Sequence, residues 1–173
     1  MAETAGPLNL ADADLSGIEA LEPSSYNAVV HEVSMDAVKN TSGEGKLPKG
    51  TPMVKFQFRI TDDINGSTNR RVFSQYMIPP KDYDKEKAAR MKGMLVRTLI
   101  ALGDKEEDVK NAKFSPDWED YVGRECVVVV GRDPKKTRDS SGTLVTVEGE
   151  FNNPVKGVKP AGSITGGDTG GLL

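Results

Sequence analysis

The stretch "MVKFQFRITDDINGSTNRRVFSQYMI", Met53 to Ile78, alternates with a period of two. Val54, Phe56, Phe58 and Ile60 fall on one face of a strand, and Lys55, Gln57 and Arg59 on the other. After a polar turn holding Asn65-Gly66, a second strand puts Arg71, Phe73 and Gln75 on one face and Val72, Tyr76 and Ile78 on the opposite one. The pattern predicts a hairpin with one buried face and a loop longer than the tight two-residue kind. Pro79-Pro80 should end it. Upstream, "SYNAVVHEVSM" (25–35) reads as a first strand whose alternation is blurred, as expected where both faces are partly covered. The segment between, "DAVKNTSGEGKLPKGT", reads as a long loop.

Further on, the period changes. In "DKEKAARMKGMLVRTLIALG", Ala88, Met91, Leu95, Leu99 and Leu102 recur at three- and four-residue spacing and predict a helix with one apolar stripe. Asp84 is placed as its N-cap and Gly103 as its left-handed stop. "SPDWEDYVG" predicts a short helical turn, and "RECVVVVGR" a fourth strand buried on both faces. "RDPKKTRDSSG" reads as a basic loop and "TLVTVEGEF" as a fifth strand. Residues 152–173 carry too little apolar content to pack and read as flexible.

The predicted order is strand, strand, strand, helix, strand, strand. No helix separates the first three strands, so a parallel α/β sheet is not expected. The expected fold is mainly β: a five-stranded OB-type Greek-key barrel with one helix between strands 3 and 4, the helix plugging one end. An open α+β sheet is the competitor. The domain is set at 24–160, between an acidic flexible arm at 1–23 and a Gly-rich flexible tail at 161–173.

Charge sharpens this picture. The 173 residues carry a net charge of −3, but residues 1–23 hold Glu3, Asp12, Asp14, Glu19 and Glu22 and no Lys or Arg. The remainder has a slight positive excess, well short of the basicity of a duplex-DNA binder. The cations are clustered. Lys46 and Lys49 lie in the first long loop, and Lys55, Arg59, Arg70 and Arg71 on or beside the hairpin. Arg132, Lys135, Lys136 and Arg138 lie in the loop before the last strand. In an OB barrel these three segments surround one groove. A groove that tracks a nucleic-acid backbone needs spaced cations and exposed rings on which bases stack. Phe73, between Arg71 and Gln75, is the first candidate ring and Tyr26 the second, whereas Tyr76 belongs to the core phase. The plain alternative is that any half-buried antiparallel sheet shows a polar face.

Catalytic patterns are lacking. His31 is the only histidine and Cys126 the only cysteine, so neither has a partner for a zinc site, and Cys126 sits among valines as a small buried hydrophobe. Asp62-Asp63 and the carboxylates of "KEED" read as solvated charge. "SGEGKLPKG" lacks the ending of a phosphate-binding loop. No cofactor and no catalysis are expected. A metal-dependent nuclease using Asp62, Asp63 and Glu32 is the enzymatic rival, disfavoured because these residues share no strand face. No apolar run approaches membrane-span length, and "MAETAGPLNLADAD" has no basic start followed by an apolar stretch. A cytoplasmic protein with no membrane contact is the expectation.

The succession "SYNAVVHEVSM", "VKFQFRIT", "RRVFSQYMI", "LVRTLIALG", "YVGRECVVVV" and "GEFNNPVKGVKP" resembles phage-encoded single-stranded DNA-binding proteins with an OB fold. The resemblance covers about residues 24–160. It implies non-catalytic, largely sequence-independent binding of single-stranded DNA in phage DNA replication or recombination, in the host cytoplasm. It also implies phage or host replication proteins as further partners and leaves a homo-oligomer open. The DNA contacts that the resemblance implies are Lys55, Arg59, Arg71 and Phe73 on the hairpin and the basic loop; the reading of the residues adds Gln75 and Tyr26 to the expected site. One feature departs from bacterial relatives of this class, which end in an acidic tail with an aromatic tip. This chain ends "GGDTGGLL". The rival reading is a protein-interaction module, a phage assembly or host-takeover protein on a similar β-barrel.

Overall fold

The computed structural model describes residues 11, 20–39, 47–64 and 66–164. Most of the acidic arm, Lys46, Asn65 of the turn and the tail from 165 onward lie outside the described residues. The chain forms β1 (Ser24–Ala37), β2 (Pro52–Ile60), β3 (Arg71–Met77), α1 (Lys85–Ala101) and α2 (Glu106–Val109). A 3-10 turn (Trp118–Tyr121) follows, then β4 (Glu125–Val130), β5 (Asp133–Arg138), β6 (Leu144–Asn152) and β7 (Val155–Pro160). Five strands make one strongly curled antiparallel sheet, a half-barrel in the order β3-β2-β1-β4-β7. β5 and β6 pair only with each other, as a separate ribbon.

The hairpin obeys its alternation. Val54, Phe56, Phe58 and Ile60 are fully buried, and Val72 and Tyr76 join them from β3. Each buried aliphatic or phenylalanine side chain here contributes about 1.5–3 kcal/mol relative to exposure. Phe56 is the hub: its ring meets Tyr76, Trp118 and Tyr121 edge-on at 5.8, 6.2 and 6.4 Å. The blur in β1 has a specific cause. Tyr26, Ala28 and Val30 point inward, the pairing with β2 slips between Val30 and Glu32, and the inward phase resumes at Val33. A β-bulge at His31, not coverage of both faces, breaks the period.

α1 begins as its sequence requires. Asp84 accepts a hydrogen bond from the Lys87 N–H at 3.0 Å, and Gly103 stops the helix with φ +109°. Ala88, Leu99 and Leu102 are buried, with Leu95 partly so, and the helix packs on β3 and β7, the two edges of the sheet. The Tyr76 and Thr98 hydroxyls, 2.6 Å apart, tie β3 to α1 in the interior. Arg124 joins the other end of the helix to β4. Its guanidinium donates to Asp104 at 3.0 Å and lies 4.3 Å from the Tyr121 ring centre, while the Tyr121 hydroxyl also donates to Asp104.

Four expectations are corrected. "RDPKKTRDSSG" is not a loop: it supplies β5 and the turn of the ribbon. "TLVTVEGEF" is not the fifth strand of the sheet but β5's partner. The fifth sheet strand is β7, "VKGVKP", inside the stretch read as flexible. It is an edge strand with only Val155 and Val158 packed on the core, and its Lys156, Lys159 and Pro160 are the residues with which edges are blunted. Its apolar signal is therefore weak, and backbone pairing to β4 holds it. The end of the arm is also fixed. Leu21 is buried; its N–H donates to Asn153 Oδ1 at 2.8 Å, and Asn153 Nδ2 donates to the carbonyls of Leu21 and Gly131 at 2.9 and 3.0 Å.

Candidate nucleic-acid interface

The outer face of the hairpin is organised in cross-strand rows. Lys55 stands opposite Gln75, Gln57 opposite Phe73, and Arg59 opposite Arg71. Antiparallel pairing thus makes one continuous polar strip from two runs separate in sequence. Phe73 is 56% exposed, the most exposed aromatic ring named on this surface. Three cations of the strip have neighbours. Lys55 Nζ lies 3.0 Å from Asp36, and this hydrogen bond is the main reason the Asp36 carboxyl is held below its ordinary range. Arg59 donates to Asn69 Oδ1 at 3.2 Å, and Arg71 to Gln57 Oε1 at 3.3 Å. Between the rows lies a dimple of about 190 Å³ bounded by Glu32, Lys55, Gln57, Phe73 and Gln75.

A larger groove of about 930 Å³ runs between β3 and the ribbon. Arg71, Phe73 and Gln75 form one wall, Lys136 and Phe151 the other. Phe151 was not among the sequence candidates. Its signal lay in the end of "VEGEF", where strand pairing sets it opposite Pro134 and near the basic run. The ring is 39% exposed and carries the Arg132 guanidinium 4.4 Å from its centre. The ring quadrupole attracts the guanidinium charge and holds it over that face of Phe151.

The basic residues of the ribbon divide by position. Lys136 lines the groove. Lys135 faces Glu150 at 3.7 Å, and Arg132 also lies 3.3 Å from Glu22. Arg138 is at the ribbon's turn, donating to the Gly142 carbonyl at 2.8 Å. There Asp139 accepts from Ser141 and Thr143, bonds that hold its carboxyl below the usual range. Tyr26 is a correction. It is 1% exposed, and its hydroxyl donates to the Glu22 carbonyl at 2.6 Å, so the ring is core and cannot receive a base. Burial is also the main reason its hydroxyl pKa is raised. The phase that buries Ala28 and Val30 buries Tyr26 with them.

The other candidate chemistry has structural roles. Asp62 accepts from the Asn27 backbone N–H at 2.6 Å and from its side chain at 3.0 Å, holding the β2–β3 turn against β1. Burial pushes the Cys126 thiol up to about 12. Among the described residues no three histidines, cysteines or carboxylates gather to hold a metal ion, and no helix is long and apolar enough to cross a membrane. Neither a protein-family model nor a curated protein matches the sequence.

Proposed function

We propose that this protein binds single-stranded DNA without catalysis and with little dependence on sequence. The observation that carries the reading is the groove between β3 and the ribbon, where Phe73 and Phe151 stand exposed beside Arg71 and Lys136. Each wall sets a ring beside a cation, the combination that stacks bases while neutralising phosphates, and the lining carboxylate Asp133 is paired with Lys156 at 3.1 Å. Strand order adds support. With β5–β6 counted as an insertion before the last strand, the order β3-β2-β1-β4-β7 with α1 following β3 supports an OB-type reading, a fold that takes oligonucleotides on the face of its second and third strands and the adjoining loops. The resemblance to phage single-stranded DNA-binding proteins supplies the setting: phage replication or recombination, in the host cytoplasm, beside other replication proteins.

The deciding experiment is fluorescence anisotropy of a labelled thymidine oligonucleotide titrated with the protein across salt concentrations. Affinity is expected to fall with salt at a log–log slope of about −0.7 for each phosphate contacted. No binding at low salt overturns the proposal. A second reading, a protein-docking module, is favoured by Leu144 and Val145, which stand 53% and 37% exposed near the ribbon's turn. It predicts that the oligonucleotide is ignored.

A further inference from the structure

The dimple on the hairpin face holds one group that a phosphate-tracking surface does not require. Glu32 lines it beside Lys55, Gln57 and Phe73. Its carboxylate has no ion-pair or hydrogen-bond partner among the described residues, and neighbouring Lys55 is taken by Asp36. Ordinary alternation does not bring Glu32 there. Ala28 and Val30 point inward, so residue 32 of a regular strand would point inward too. The bulge at His31 turns it outward and sets it opposite Gln57, which stands opposite Phe73. Re-aiming a side chain is what bulges beside binding sites do.

An unpaired carboxylate on this face repels phosphate and attracts neighbouring N–H donors. In a single strand the Watson–Crick edges of the bases are free. Guanine alone presents two adjacent donors there, N1–H and the N2 amino group, which match the two oxygens of one carboxylate. Cytosine and adenine offer one amino group beside a ring nitrogen whose lone pair opposes the carboxylate. Thymine offers one N–H between two carbonyls. Guanine O6, on the same edge, needs a donor. Gln57 has one, because its amide oxygen already accepts from Arg71 and its amide nitrogen is left to donate.

We propose that the dimple takes a guanine base, stacked on Phe73 and read by Glu32, so that the protein prefers single strands containing guanine. This rests on the single-stranded DNA reading above, and its test separates the two. The full chain is titrated against a short thymidine oligonucleotide and against copies carrying one central deoxyguanosine or one central deoxyinosine. The deoxyguanosine strand is expected to bind tighter by on the order of tenfold, the discrimination typical of a bidentate base contact. Deoxyinosine lacks the N2 amino group and should lose most of that gain. In Glu32→Gln the preference should vanish while thymidine binding holds or rises, since a negative charge has gone. Equal affinity of the unaltered protein for the thymidine and deoxyguanosine strands overturns the guanine site and leaves single-stranded binding intact. A preference that survives Glu32→Gln also overturns it. Failure of the unaltered protein to bind any strand overturns both readings.

Discussion

Phe73 and Tyr76 lie on one short strand and face opposite ways, which makes them a matched pair of probes. Phe73→Ala is expected to cost about 1–3 kcal/mol of oligonucleotide binding, the worth of one stacked base, and little stability. Tyr76→Ala is expected to cost about 3–5 kcal/mol of folding stability, because it opens a cavity and leaves the Thr98 hydroxyl without its partner. Urea unfolding and anisotropy on both variants check this, and a Phe73 variant that unfolds easily would show that its ring is part of the core. Cys126 gives a pH prediction. Burial raises its thiol to about 12 from its ordinary value of 9.0, so the folded chain keeps a proton that the unfolded chain releases. Its stabilising contribution is complete below about pH 9 and is lost as pH rises towards 12, since above pH 9 the unfolded state binds fewer protons. Iodoacetamide at pH 8 should spare Cys126 in the native protein and alkylate it in urea. Rapid alkylation without urea would mean that β4 opens.

At the scale of elements, the ribbon stands outside the core, tied to the sheet at its root by the Lys156–Asp133 ion pair at 3.1 Å. Nearly every residue of β5 and β6 is exposed, and neither strand contributes to the core. A two-stranded hairpin of this kind is marginal by itself, which would suit it to be ordered by the proposed oligonucleotide. Its lysines should behave differently although they are adjacent. Lys136→Glu puts a negative charge in the groove and is expected to weaken oligonucleotide binding several-fold and reduce the salt slope by about 0.7, one phosphate contact. Lys135→Glu, directed at Glu150 and outside that groove, should do clearly less. Equal effects of the two reversals would mean that the ribbon acts only through its total charge. In α1, Leu99 is the most deeply buried residue of the stripe, so Leu99→Ala is expected to cost about 2–5 kcal/mol in urea unfolding with no direct effect on the groove.

Across the whole molecule, segments far apart in sequence are joined by one side chain. Asn153 makes three hydrogen bonds, two of them to Leu21 and one to Gly131, so it fixes the start of the domain to the turn between β4 and the ribbon. Asn153→Ala leaves those backbone groups unpaired and is expected to destabilise the fold by about 1–3 kcal/mol for each group that stays buried. It should also loosen the ribbon's root, because Gly131 N–H donates to the Pro154 carbonyl beside it. Hydrogen exchange should then speed up at residue 21 and residue 131 together. Faster exchange at only one of them would show that the two attachments are independent.

Local patterns were enough for the hairpin, for α1 with its Asp84 cap and Gly103 stop, and for the valine strand, because periodicity and capping act over a few residues. They also gave the outward face of Phe73, since strand phase fixes direction. Phase failed at the bulge, where one extra residue changes which side chains share a face and only pairing with β2 reveals it. Tyr26 lies before the bulge, and its alternation with Ala28 and Val30 was the local signal that placed it inside. β7 was illegible for a related reason. It has little apolar content, and its strand conformation comes from backbone bonds to β4, a neighbour distant in sequence. The groove depended most on tertiary structure. Phe73 and Phe151 are separated by much of the chain, and nothing in either local sequence tells that the curl of the sheet and the root of the ribbon bring them to opposite walls of one cleft.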